Sequence, residues 1–299
     1  MDRETQAGWL TDTVGVRRLT ERVLVRVVGE DARAWLNGQV TNDLRGLSPG
    51  GAVYALVIHV KGRILADLFA LDRGPSGLGI VVPRANLAAL LEHFEKYVIM
   101  EDVALRPDEG IALLTVQGPR AAAIVGTAPD AYPCDRLGRG GFDVLVAAEA
   151  AEARLAQLAV AATEAGGGVV SEEAWELGRL RLGRPELFAD FGEGTYPQEV
   201  GLERIAVSFS KGCYLGQEVV CMLENRGQLT RRLVRLESEA VLAPGDPLEA
   251  SGQRVGEITS AARDGSRSVA LGFVKRALAT PGAELRAPAG AARVLAASA

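Results

Sequence analysis

The sequence predicts an α+β protein that ends in a small β-barrel, and three observations carry that prediction. Strand-like and helix-like segments alternate without the length and regularity of βαβ crossovers, which argues against a doubly wound parallel sheet. One long amphipathic stripe marks a helix within the first hundred residues. After about Thr230 the texture changes to short β-rich runs separated by Pro and Gly turns, the pattern of a barrel or sandwich.

The elements follow in order. Arg22 to Val28 reads as a strand, and Gly29-Glu30-Asp31 opens a short helix with Ala32, Trp35 and Leu36 on one face. Asn37-Gly38-Gln39 ends it, and Leu47-Ser48-Pro49-Gly50-Gly51 is turn chemistry. Val53 to Val60 and Ile64 to Leu71 are strands joined at Lys61-Gly62-Arg63, and Leu78 to Val82 adds another. Leu87, Leu90, Leu91, Phe94 and Val98 form the helical stripe. A short strand at Val103 to Leu105 precedes a boundary at Arg106-Pro107-Asp108-Glu109-Gly110. A similar mixture then recurs. It runs through strand Ile111 to Val116, a helix to Val125, strand Phe142 to Val146 and a helix from Glu149 to Ala165. Ser171 is placed to cap a helix running to Leu182, with Glu172 and Glu173 behind it. Leu233 to Leu236, Arg254 to Ser260, Ser268 to Phe273 and Glu284 to Ala287 are the barrel strands. The division is therefore 1–108, a first α+β subdomain; 109–230, a second; and 231–299, the barrel.

Composition excludes several classes of function. The 299 residues carry 33 basic and 38 acidic side chains, a net charge of -5, so a nucleic-acid groove is not the dominant feature and no direct nucleic-acid partner is expected. An apolar fraction of 48% with 24% charged residues is globular rather than disordered. The N-terminus shows no signal-peptide pattern, and the best apolar stretch, Ala52 to Ile58, is far shorter than the ~20 residues of a spanning helix. Three cysteines suit reduced thiols in a cytoplasm, so a cytoplasmic protein without a membrane partner is expected. The only histidines, His59 and His93, have no paired ligand nearby in sequence, and Cys213 and Cys221 lack C-x-x-C spacing. No protein-built metal centre is expected.

The dense segment is Ser210-Lys211-Gly212-Cys213-Tyr214-Leu215-Gly216-Gln217-Glu218. Two glycines flank a thiol and let the backbone turn tightly and approach a ligand. Lys211 supplies a cation that favours the thiolate, and Tyr214, Gln217 and Glu218 add an aromatic face, an amide and a carboxylate. A buried cysteine in a Gly-rich turn is the alternative reading.

Lys211 to Glu218 resembles the K-G-C-[FY]-x-G-Q-E signature of the YgfZ family, folate-binding relatives of the glycine-cleavage T-protein, an aminomethyltransferase. Asn37 to Asp43 is similar to that family's x-G-Q-V-T-N-D segment, and Trp175, Gly183-Arg184-Pro185 and Pro197-Gln198-Glu199 to its W…G-x-P…P-Q stretch. Arg226-Gly227 before Arg231-Arg232, and Gly256 to Ser260, extend the likeness, which runs from about residue 20 to the C-terminus. The resemblance implies a GcvT-like cloverleaf of two α/β-mixed subdomains plus the barrel around a tetrahydrofolate pocket. It also implies a role in iron–sulfur cluster assembly or repair, and through it in enzymes such as those that thiolate tRNA. Its partners would be folate and iron–sulfur client or assembly proteins. Cys213 would be the functional thiol. Trp175, Lys211, Tyr214, Gln217, Glu218, Arg226, Asp67 and Asn37 would form the folate site, with Arg226, Arg231 or Arg232 meeting the glutamate tail.

Three departures accompany the likeness. Met222 stands where the signature closes on Arg; Ala66 replaces one of the acidic pair kept by aminomethyltransferases beside Asp67; and Arg181 stands where their pterin-binding Glu would be. The last two weigh against the alternative reading, a tetrahydrofolate-dependent aminomethyl- or methyltransferase. A scaffold with a degenerate pocket is the third possibility.

Overall fold

The computed structural model describes residues 1–226 and 229–297, leaving the side chain of Arg226 outside that description. Helix α1 (Arg3–Asp12) is capped by Asp2, which accepts from the Thr5 amide at 2.8 Å, and buries only Ala7 and Leu10. Strands β1 (Gly15–Arg18) and β2 (Arg22–Val28) lead to helix α2 (Ala32–Gln39). Then come β3 (Ala52–Ile58), β4 (Ile64–Asp72), β5 (Leu78–Pro83), α3 (Leu87–Glu95) and β6 (Ala104–Pro107). The second unit holds β7 (Ile111–Gln117), α4 (Ala121–Val125), β8 (Ala131–Tyr132), β9 (Gly141–Ala147), α5 (Ala151–Glu164), β10 (Gly168–Val169) and α6 (Glu172–Leu182). Short α7 (Glu203–Ala206) and α8 (Gln217–Arg226) lead into the barrel strands β11 (Arg231–Ser238), β12 (Pro247–Ala250), β13 (Gln253–Asp264), β14 (Arg267–Lys275), β15 (Glu284–Ala287) and β16 (Gly290–Ala297).

The first sheet is antiparallel in the order β3-β4-β5-β2-β6. Every residue of β4 is buried because both its faces are covered. Ala66, Leu68 and Ala70 join Trp35, Leu36, Leu90 and Phe94 beneath α2 and α3. The alternate residues Phe69 and Leu71, with Leu24 of β2, meet Leu113 and Leu145 of the second sheet. Two-residue periodicity thus puts Asp67 on the same side as Phe69, facing the second unit.

The second sheet has the order β10-β1-β7-β9-β8 and corrects the expected first boundary. Strand β1 pairs antiparallel with β7 and parallel with β10, so residues 15–18 are built into the second sheet, not the 1–108 unit. The barrel closes as β11-β14-β13-β12-β15-β16 around Val234, Leu236, Leu248, Ile258, Val274, Leu285 and Val294. A further apolar cluster joins the β3–β4 hairpin (Leu56, Ile58, Ile64), the segment 187–220 (Phe191, Leu202, Tyr214) and the barrel (Leu233, Leu271), tying the three units together.

Candidate functional site

The first two units and the segment that follows them leave a central cleft holding about 660 Å³ of atom-free space, open solvent included. The first sheet contributes Arg22, Tyr54, Asp67 and Phe69; the loop after β8 contributes Asp135, Arg136 and Leu137. Helix α6 and the turn after it supply Trp175, Arg179, Arg184, Pro185 and Glu186, and α7 closes one side with Ile205. Register explains the first group. Tyr54 pairs with Phe69 and Leu56 with Asp67 across the β3–β4 hairpin, while Arg22 and Leu24 share one face of β2.

Asp67 anchors the floor. Its two oxygens accept from Arg22 at 2.8 and 3.1 Å, and Tyr54 donates its hydroxyl at 3.1 Å. Burial alone would raise its pKa, but the neighbouring Arg22 and Arg136 guanidiniums and these hydrogen bonds outweigh that and hold it below the usual carboxylate value. Tyr54 is pushed well up, by burial first and by the Asp67 charge second, so it stays a neutral donor. Tyr54 and Phe69 stack tilted with centroids 4.9 Å apart, and Arg136 lies 5.0 Å over Phe69 while pairing with buried Asp143 at 3.0 Å.

The opposite wall is α6. Trp175 is 8% exposed, and Arg17 lies 4.9 Å over its ring. Arg179 is held by Glu176 and Asp190 at 2.6 Å and by Glu186 at 3.0 Å. Burial raises the pKa of Glu186, and the Arg179 cation only partly offsets it. The cleft therefore combines aromatic surfaces, carboxylates in different electrostatic settings and several guanidiniums.

The expected site residues separate into three places. Trp175 and Asp67, 108 positions apart, line the one cleft. Lys211 and Asn37 form a brace outside it. Lys211, 5% exposed, donates to the carbonyls of Asn37, Val40 and Asn42 at 2.6, 2.8 and 2.7 Å, and the Asn37 side chain accepts from the Leu44 amide at 2.8 Å. Burial brings the Lys211 ammonium down to about 8, which leaves it charged at neutral pH beside the C-terminal end of α2, where a cation is favoured. Because its three hydrogens are committed to these carbonyls, Lys211 is a brace rather than the thiolate-stabilising cation that its sequence position suggested.

Cys213 is exposed on its loop and is not among the cleft-lining residues. Of the three free cysteines, Cys134 is buried, Cys221 intermediate and Cys213 exposed. Tyr214 is buried in the junction cluster, whereas Gln217 and Glu218 begin α8, with Glu218 exposed. Gly216 has a left-handed φ of 78°, and a Cβ there would sit 2.4 Å from the His59 carbonyl oxygen. The glycine thus serves contact with the β3–β4 hairpin rather than with a ligand. Gly212 has open space around it.

Two of the expected tail-binding arginines, Arg231 and Arg232, lie elsewhere. Arg231 pairs with Glu199 at 2.9 Å and stacks on Phe273; Arg232 lies 3.8 Å from Glu203. The Arg226 side chain and Gly227 fall outside the described residues. The cleft's cations are instead Arg22, Arg136, Arg179 and Arg184, which come from a strand face, a helix and two loops; only Arg184 sits in a motif segment, at its variable position. Glu186 was missed for the same reason. Arg181 points away, donating to Asp264 of the barrel at 2.9 and 2.5 Å. His59 and His93 do meet, with ring centroids 5.7 Å apart, which sequence distance hid; among the described residues no group of three or more His, Cys, Asp or Glu is arranged to hold a metal ion.

Comparison with known proteins agrees with this architecture. Residues 4–135 match the GCVT N-terminal domain family. The glycine cleavage system aminomethyltransferase T from Bartonella henselae superposes with a TM-score of 0.83 at 21% identity, covering 98% of this chain and 88% of that one. The tRNA-modifying protein YgfZ of Pectobacterium atrosepticum is 29% identical over 246 residues, 77% of this chain and 73% of its own. The chain has a GcvT-type fold and is similar in sequence to YgfZ proteins. YgfZ of Aliivibrio fischeri is 27% identical over 79% of this chain and 76% of its own. The GCVT match begins within α1, ahead of the strand that the second sheet incorporates. No helix among the described residues is long and apolar enough to cross a membrane.

Proposed function

We propose that this protein binds a reduced folate in the central cleft and acts as an accessory factor in iron–sulfur cluster assembly or repair, with Cys213 as its working thiol. The observation that carries the folate reading is the meeting of Trp175 and Asp67 in one cleft with Tyr54, Phe69 and Glu186. A pterin is a flat π-system edged with N–H donors; the aromatic side chains offer it faces, and the carboxylates of Asp67 and Glu186 offer acceptors. Glu186 takes the place left by Arg181, because it is a carboxylate inside the cleft whereas Arg181 is committed to the barrel. Arg136 and Arg184 suit the anionic end of the ligand.

The thiol reading rests on exposure and on a braced loop. Lys211 fixes the loop to the end of α2, and the Leu215 amide donates to the Gly38 carbonyl at 3.1 Å, so Cys213 is presented on an anchored turn. An exposed sulfur there can meet a cluster or persulfide carried by another protein, which are substrates rather than residents.

Calorimetry with tetrahydrofolate tests the first part. Trp175→Ala and Glu186→Ala should each weaken binding by roughly tenfold or more, and no binding heat from the unaltered chain would refute it. Restoration of cluster-dependent enzyme activity tests the second part, in a strain lacking its own copy. Cys213→Ala should fail to restore it while Cys221→Ala succeeds; full rescue by Cys213→Ala would remove the thiol from the mechanism.

A further inference from the structure

Trp175 borders two hollows rather than one. Besides the central cleft it lines a second cavity, with about 1400 Å³ of atom-free space including open solvent, walled by α6 and by the barrel segment 261–263. Glu21 and Glu186 also line both. Trp175 joins a small apolar cluster with Leu10, Leu137, Val170 and Ala174, but a ring that borders two hollows is less locked by packing than a side chain enclosed in a core. Arg17 of β1 supplies a further hold. Its guanidinium carbon lies 4.9 Å from the centroid of the Trp175 ring, and its side chain is only 12% exposed. Arg17 lines the second cavity and is not among the residues of the central cleft. It is itself pinned, since Nη2 donates to both oxygens of Glu21 at 2.9 Å and Nε donates to the Arg18 carbonyl at 3.2 Å.

We propose that Arg17 is a positioning residue for the central cleft: pinned by Glu21, it covers the face of Trp175 turned to the second cavity and so holds the other face ready for a stacked ligand ring. The inference rests on the folate reading above, which supplies that ring. A guanidinium over an indole is attracted by the negative face of the π-system, and once seated it leaves a flat ligand one face on which to stack. The carboxylate of Glu21 keeps the guanidinium in place, so strand β1, the β1–β2 turn and α6 together fix one aromatic plane. Arg17 acts through Trp175 and not on the ligand. Its loss should therefore matter only while Trp175 is present, and another cation at the same position should largely replace it.

Two measurements on the full chain test this. The first needs no ligand. The fluorescence that Trp175→Phe removes is the emission of Trp175 itself, and its quenching by acrylamide should rise about twofold or more in Arg17→Met, because losing a contact of this strength shifts the ring's open population by that order. Arg17→Lys, which keeps the cation, should stay near the unaltered value. The second is calorimetry with tetrahydrofolate. Arg17→Met should bind about fivefold more weakly and Arg17→Lys within about twofold of the unaltered chain, while Arg17→Met added to Trp175→Ala should weaken binding no further. Unchanged quenching in Arg17→Met overturns the proposal and leaves the folate reading intact. A fivefold loss that persists without Trp175 also overturns it, since Arg17 would then act elsewhere. No binding heat from the unaltered chain refutes the folate reading, and with it the ligand half of this inference.

Discussion

Asp67 is the carboxylate around which the floor of the central cleft is assembled, and its acid behaviour follows from its partners. Its pKa is held below the ordinary value in the folded chain by Arg22, Arg136 and Tyr54 despite burial. The stability it contributes is therefore present above the unfolded carboxylate value and is lost as pH falls through the depressed one. Asp67→Asn should lower unfolding free energy by about 3 kcal/mol near neutrality, because Arg22 is left with an uncompensated charge. It should also flatten the acid limb of stability against pH, measured by urea unfolding across that range. Glycine supplies a second test. Gly216→Ala forces a side chain into left-handed backbone and against the His59 carbonyl, and should cost about 2 kcal/mol or more, whereas Gly212→Ala, with open space around it, should be nearly silent. Equal melting losses for the two would contradict the contact that separates them.

Helix α6 carries one wall of the cleft, so its ends matter. Ser171 accepts from the Ala174 amide at 3.2 Å, Glu172 and Glu173 occupy the first turn, and Gly183 closes the helix in left-handed conformation. Ser171→Ala should cost about 1 kcal/mol, read as a lower denaturation midpoint with unchanged slope. This helix was legible in the sequence, as were β2, the β3–β4 hairpin and β15, because capping residues and two-residue periodicity are local signals. Helix α1 was not, since it buries only Ala7 and Leu10 and shows no apolar stripe. Strands β1 and β10 exist through long-range pairing, β1 with β7 and β10 with β1, which no local pattern announces. The same division holds for the site. Trp175, Asp67 and Cys213 sit in recognisable segments, but Arg136 and Glu186 reach the cleft only through the packing of loops from different units. The K-G-C-Y stretch was legible as a motif, while the structural work of Lys211 within it was not.

Across the whole molecule, Arg181 belongs to the docking of the barrel rather than to ligand recognition. It bridges α6 to Asp264, its guanidinium also reaches the Glu4 carbonyl at 3.2 Å, and its own carbonyl accepts from Arg235. Arg181→Glu would set two carboxylates against each other and should lower the thermal midpoint by several degrees, about 1–2 kcal/mol. It should not improve tetrahydrofolate affinity, because the side chain lies outside the cleft; a gain in calorimetric affinity would show that the helix can present this position to the ligand. The residues that distinguish the chain from aminomethyltransferases are thus spread over different jobs: Ala66 fills the core under α2, and Arg181 secures an interface.

The placement of β1 between β10 and β7 has a further consequence for how the protein is made. A strand near the start of the chain must wait until roughly a hundred more residues have been synthesised before its neighbour β7 exists, and longer still for β10. Until then it is an orphan ribbon, and a fragment begun at residue 109 would bare the flank of β7 and strand β10 altogether, an invitation to intermolecular pairing. The polypeptide cannot be cut into its apparent thirds, because its first eighteen residues are the stitch that sews the second of them shut.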